Sequence, residues 1–135
     1  MVARSLVMER RASVDDHFDL AIGPAERRRC SVHFMLCTAD PRKIVVQIPV
    51  DVPADPTEAE CAHAATLMVD MVRHLDMPVG LLVAITRPGT ASVVATDRQW
   101  YRAARRACID GGVPLLGVHL VTPSRQREIM LDDVL

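Results

Sequence analysis

The sequence predicts an α/β domain: one mixed β-sheet in the order β-β-α-β-α-β, with an optional further edge strand and helices packed on it. Three observations carry this. "VGLLVAIT" (79–86) and "VPLLGVHLV" (113–121) are continuous apolar runs of strand length, as expected of strands covered on both faces. "CSVHFMLCT" and "KIVVQIPV" are β-rich runs separated by a turn at Asp40-Pro41, which reads as a hairpin. Two longer segments with helical punctuation precede the two apolar runs, giving consecutive β-α-β units with parallel strands.

Residues 1–29 form an N-terminal arm, docked or partly disordered, and 30–135 a single domain. The arm contains Gly23-Pro24 and the run Arg27, Arg28, Arg29. Val14 and Phe18 stand at helical spacing there, and Leu6, Val7, Leu20 and Ile22 add apolar contacts. After the hairpin, "DVPADPTEAE" places Asp55 as a helix cap, Pro56 at the first helical position and Glu58 at the third. That helix runs to about Leu75. Its apolar positions Cys61, Ala62, Ala65, Met68, Val69, Val72 and Leu75 cover a face broad enough to pack on a sheet, a partner subunit, or both. His63, Thr66, Asp70 and Arg73 make the polar stripe. Thr96, with Gln99 three residues on, has capping-box spacing for the second helix, and Gly111-Gly112 stops it. "REIML" is the optional antiparallel edge.

A chain of 135 residues fits one domain with a real core. Half of the residues are hydrophobic but few are aromatic, so aliphatic side chains build that core. A formal charge of −1 argues against a generally basic surface for nucleic acid. No apolar run approaches a bilayer span, and "MVARSLVMERRAS" lacks a secretory pattern, so a cytoplasmic protein with no membrane contact is expected. Cys30, Cys37, Cys61 and Cys108 read as reduced, mostly buried thiols.

Ligands of open α/β sheets collect beyond the carboxyl ends of the parallel strands. Those ends are Asp51, the loop Thr86–Asp97 and the segment Thr122-Pro123-Ser124-Arg125. Thr86, Arg87, Thr90, Thr96, Asp97 and Arg98 are the candidate ligand-binding residues. The start of the second helix and the two arginines would suit a phosphate or carboxylate. The competing reading is that Pro88-Gly89 only turns the chain, Thr96 caps, and the arginines are solvated. No phosphate-loop or dinucleotide glycine pattern is present.

No catalytic residue, metal site or cofactor is expected. Cys30, His33 and Cys37, or Cys61 and His63, lack metal-site spacing. Cys108 lies on an apolar helix stripe, and His119 inside a strand reads as a core histidine. No serine has a nucleophile-elbow context. Arg98, Arg102, Arg105 and Arg106 line the second helix and, with Arg27–Arg29, offer an alternative nucleic-acid surface.

Residues 30–122 resemble an actinobacterial family of α/β proteins without established chemistry. The similarity lies in the hairpin running into "VDVPADP", the alanine-rich helix, "VGLLVAIT" and "DRQWYRAARRACIDGGVPLLGVHLV". Residues 79–121 more distantly resemble the JAB-type metallopeptidase fold of the bacterial RadC group, through "AITRPG", Asp97 and "GGVPLLGVHL". That family's two metal-binding histidines would fall at Ile85 and Arg87, so the resemblance implies a degenerate, inactive relative.

The leading functional expectation is a non-catalytic binding or regulatory domain that contacts another protein or a second copy of itself. The alternatives are an anion-binding or hydrolase-type site at the loop after 79–86, and nucleic-acid binding through the helix 97–110.

Overall fold

The computed structural model describes residues 11–38 and 43–135, with side chains from Val14 onward in the first segment. Helix α1 (Arg11–Ala21) and a single turn α2 (Pro24–Arg27) precede β1 (Ser31–Thr38) and β2 (Ile44–Asp51). These two strands pair antiparallel in the expected hairpin. Helix α3 (Glu58–Arg73) leads to β3 (Val79–Thr86), and α4 (Ala95–Gly111) leads to β4 (Leu115–Val121). Strand β5 (Gln126–Glu128) returns antiparallel along β4, and a 3-10 turn (Leu131–Asp133) follows. Leu6 and Val7 of the arm, and the hairpin turn at Asp40-Pro41, lie outside the described residues.

The mixed α/β sheet has the order β2-β1-β3-β4-β5. Strands β3 and β4 are parallel neighbours, while β3 pairs antiparallel with β1. Strand β1 therefore separates β2 from β3, and the β2-α3-β3 connection steps over it. Strand position advances in one direction from β2 through β3 to β4, so two crossovers of the same hand leave α3 and α4 on one face.

Each face has its own core. Along β1, Val32, Phe34 and Leu36 point to the α3/α4 side, where they meet Cys61, Ala65 and Val69 of α3 and Trp100 and Ala104 of α4. Met35 and Cys37 point to the other side, where Val14, Phe18 and Ile22 of α1 pack with Leu82, Ala84 and Val121. The alternation is the two-residue period of a strand. All eight residues of β3 are buried, as the apolar run requires of a strand with both neighbours and both faces occupied. Strand β2 is an edge. It carries Pro49, which cannot donate to a further strand, and a bulge at Val45, where the register with β1 shifts.

The helix starts differ from expectation. Thr57, not Asp55, caps α3: its hydroxyl accepts from the Glu60 N–H (3.1 Å), and the Glu60 carboxylate accepts from the Thr57 N–H (3.0 Å). The Thr57–Glu60 pair satisfies two orphan donors at once, so it wins over the earlier start. Pro56 is buried just before the cap. Helix α4 is capped from Val94, whose N–H is accepted by the Asp97 carboxylate (3.0 Å), and Thr96 stands inside the first turn. The predicted stop holds: Gly112 takes φ 67°, the left-handed conformation that favours glycine. Gly111 permits the α3–α4 contact, because a Cβ there would collide with Val69 Cγ1. Among the described residues no helix is long and apolar enough to cross a membrane.

Candidate functional site

The loop after β3 is closed upon itself. The Arg87 guanidinium grips the Asp97 carboxylate with two prongs, Nε to Oδ1 (3.1 Å) and Nη2 to Oδ2 (2.9 Å). It also donates to the carbonyls of Pro88 (3.1 Å) and Ser92 (2.8 Å). Asp97 is fully buried and Arg87 is 15% exposed. Two of the six sequence-predicted ligand residues thus neutralise each other, and this pair organises the loop. Thr86 is buried, with its hydroxyl donating to the Arg29 carbonyl (2.8 Å). Thr96 is half-buried at the start of α4. Arg98 donates to the carbonyls of Asp133 (3.1 Å) and Val93 (3.4 Å). Of the six, Thr90 lines an open cleft.

The arginine stripe of α4 serves the chain's own C-terminal segment. Arg98 and Arg102 bind the carbonyls of Asp133 and Val134, the latter at 3.1 Å. Arg106 pairs with Asp110 (3.0 Å) on the surface, and Arg105 is exposed.

At the carboxyl-end rim, where a guest was expected, lies a cleft of about 810 Å³. One wall is the loop Thr90–Ser92, the other the β4–β5 hairpin, and the N-terminal half of α1 contributes Asp15. His119, nearly buried, forms the floor, its ring edge-on to Phe18 at 5.1 Å between centroids. Glu128 stands opposite His119 in the β4–β5 register. Both walls are fixed from behind. Arg27 donates to the Thr122 carbonyl (3.3 Å) and the Gln126 side chain (3.0 Å), and Gln126 donates to the Asp15 carbonyl (2.9 Å). Arg127 donates to Asp133 (2.6 Å) and reaches the Ala91 carbonyl (3.5 Å). Compared with protein-family models, curated proteins and solved structures, the chain matches none. The reading of this rim therefore rests on its own chemistry.

Beside the cleft, α1 covers a line of polar side chains on the sheet. His17 Nε2 donates to Gln47 Oε1 (3.1 Å), and Gln47 Nε2 donates to His33 Nδ1 (3.0 Å). A neutral His33 then carries its proton on Nε2 and donates it to Ser31 Oγ (3.2 Å), and Ser31 donates on to Thr86 Oγ1. Accepting from the Gln47 amide requires Nδ1 of His33 to be unprotonated, whereas His17 donates to Gln47 in either charge state. Burial holds the pKa of both below the ordinary 6.5; the Gln47 bond partly opposes this at His17, and Glu26 and Asp51 partly oppose it at His33. The unfolded chain therefore binds more protons than the folded one in mild acid. The stability involved is fully present above about pH 6.5 and is lost as pH falls through that value toward the lowered ones. Urea midpoints measured at neutral pH and at about pH 5 should fall on acidification, and Gln47→Leu should lower the midpoint at neutral pH. A flat profile across that range would contradict the relay.

Burial pushes the Cys61 and Cys108 thiols up to about 11, and the neighbouring Glu60 and Glu58 add to the effect at Cys61. Such thiols are packing, not nucleophiles. Among the described residues no His, Cys, Asp or Glu cluster could hold a metal ion. His33 and Cys37 lie on the α1 side of the sheet and Cys61 in the α3/α4 core, so the sheet separates the two cysteine-histidine sets. Sequence reasoning did not find Asp15, Gln47, Gln126 or Arg127, and it offered Arg27 to nucleic acid rather than to the hairpin. Their roles come from tertiary pairing, and the only local signal was Gln47, a polar interruption in the apolar strand β2.

Proposed function

We propose that the protein is a non-catalytic binding domain that self-associates through the outer face of α3 and the adjoining part of β2. The observation that carries this reading is an apolar stripe left in solvent. Leu67 and Met71, one turn apart on α3, and Leu75 just past its C-cap are 51%, 42% and 39% exposed. Val46, paired with Leu36 and so on the α3 side of the edge strand, is 41% exposed. The buried residues of α3 occupy only the narrow line Cys61, Ala65, Val69, Val72, so the breadth of apolar sequence exceeds what the sheet covers. Exposed apolar side chains gathered on one helix face mark an interaction surface. A second copy offers the same stripe, as a two-fold interface requires.

The non-catalytic part of the reading is supported by the loop after β3. Asp97, the acidic residue in the distant metallopeptidase resemblance, is held by the guanidinium of Arg87. The arginines of α4 at 98 and 102, two of its four candidate nucleic-acid contacts, are tied to backbone carbonyls.

Sedimentation velocity over a wide concentration range tests the proposal. Concentration-dependent dimerisation is expected, and Leu67→Glu with Met71→Glu should give a monomer of unchanged far-ultraviolet circular dichroism. A native chain that sediments as a monomer at every concentration overturns it.

A further inference from the structure

The rim cleft lies away from the α3 stripe and does not depend on self-association. Its size falls in the range of small-molecule sites, roughly 300–1,000 Å³. Arg125 and Arg127 line it, Arg27 and Arg87 brace its walls from behind, and all but Arg125 are committed. Arg27 is bound to carbonyls, Asp19 and Gln126, Arg87 to Asp97, and Arg127 to Asp133. Arg125 is exposed and, among the described residues, makes no side-chain hydrogen bond or ion pair. It does not hang on a loose loop. Thr122 and Arg125 exchange backbone bonds (2.8 and 3.4 Å), and the Thr122 hydroxyl also donates to the Arg125 carbonyl (3.0 Å). The guanidinium is thus carried on a hairpin turn held from behind by Arg27.

The rest of the lining is polar and of two kinds. The hydroxyls of Thr90, Ser92 and Ser124 are exposed to the cleft and can donate or accept. The carboxylates of Asp15 and Glu128 also line it; each already interacts within the chain, but a carboxylate keeps lone pairs for further donors. A bare anion would meet Arg125 and be repelled by these two groups. An anion whose body carries hydroxyl groups satisfies both sets, giving its charge to the guanidinium and its O–H donors to the carboxylates.

We propose that this cleft binds a small hydroxylated anion, a phosphorylated or carboxylated molecule of sugar size, with Arg125 gripping the anionic group and Asp15 and Glu128 accepting from its hydroxyls. Preorganised walls keep the ordering cost of binding low.

Titration followed by two-dimensional NMR tests this at low salt, with glucose 6-phosphate, gluconate, inorganic phosphate and glucose as probes. Glucose 6-phosphate or gluconate should shift the amides of Thr90, Ser92 and Ser124 and the His119 ring saturably. Inorganic phosphate should bind several-fold more weakly, and glucose should leave the spectrum unchanged. Arg125→Gln, at an exposed turn position, should reduce affinity at least about ten-fold, the loss expected for one charged hydrogen bond. The proposal is overturned if neither hydroxylated anion shifts these resonances up to about 10 mM, weaker than ordinary specific recognition. It is equally overturned if Arg125→Gln binds like the native protein, or if inorganic phosphate binds as tightly as glucose 6-phosphate.

Discussion

Replacing Asp97 by alanine should lower the stability of the protein by about 3–5 kcal/mol, the cost of breaking a buried ion pair from one side. Asp97 is fully buried and its partner Arg87 is only 15% exposed, so solvent can do little to compensate the guanidinium left behind. The same change removes the acceptor of the Val94 N–H and uncaps α4. Urea denaturation monitored by Trp100 fluorescence gives the measurement, since Trp100 is buried in the α4 core three residues along the same helix. Replacing the pair together, with Arg87→Leu and Asp97→Leu, should recover much of the loss, because no charge is then left unpaired. A loss below about 1 kcal/mol for Asp97→Ala would mean that water reaches the pair and that it behaves as a surface contact.

Phe18→Ala should cost about 3–5 kcal/mol, the usual range for deleting a buried phenylalanine. Phe18 is completely buried and is the only aromatic residue between α1 and the sheet, resting against the His119 ring. Its removal leaves Val14 and Ile22 as the main apolar anchors of α1. Arg27, bound to the Ile22 and Phe18 carbonyls, should keep the end of the helix near the β4–β5 hairpin. Hydrogen exchange should therefore accelerate from Val14 through Ile22 more than at Trp100 or Ala104, while the overall unfolding midpoint falls. Unchanged global stability with a freely exchanging α1 would show instead that this helix is a detachable arm.

Much of the fold was legible because its signals are local. The hairpin is marked by β-rich runs around Asp40-Pro41, the centre of the sheet by the unbroken apolar stretch 79–86, and the end of α4 by Gly111-Gly112. The helix starts were read less well. Asp55 and Thr96 are adequate caps in isolation, but Thr57–Glu60 makes two bonds, and Asp97 both caps α4 and pairs with Arg87. Strand order was not legible, since nothing near β1 in sequence says that β3 will dock on its free edge. The parallel direction of β3 and β4, which gives them a common carboxyl-end rim, was legible in their apolar runs and the helix between them. Which of the rim's arginines face solvent was not, because Arg27, Arg87 and Arg127 find their partners only after distant segments meet. The polar relay under α1 was hidden for the same reason: His17, His33 and Gln47 lie on three separate elements.

The position of β1 between β2 and β3 has a kinetic consequence. The hairpin can form early by closing a short turn, but β3 must reach across a gap of 55 residues, from Ser31 to Thr86, to zip onto it. Strands β4 and β5 lie outward of β3, so the five-stranded sheet is complete only after that event. Long-range closure of this sort slows folding relative to helical proteins of equal size. During synthesis the emerging chain should hold only a hairpin with an uncovered flank, until translation delivers the segment that completes the centre of the sheet.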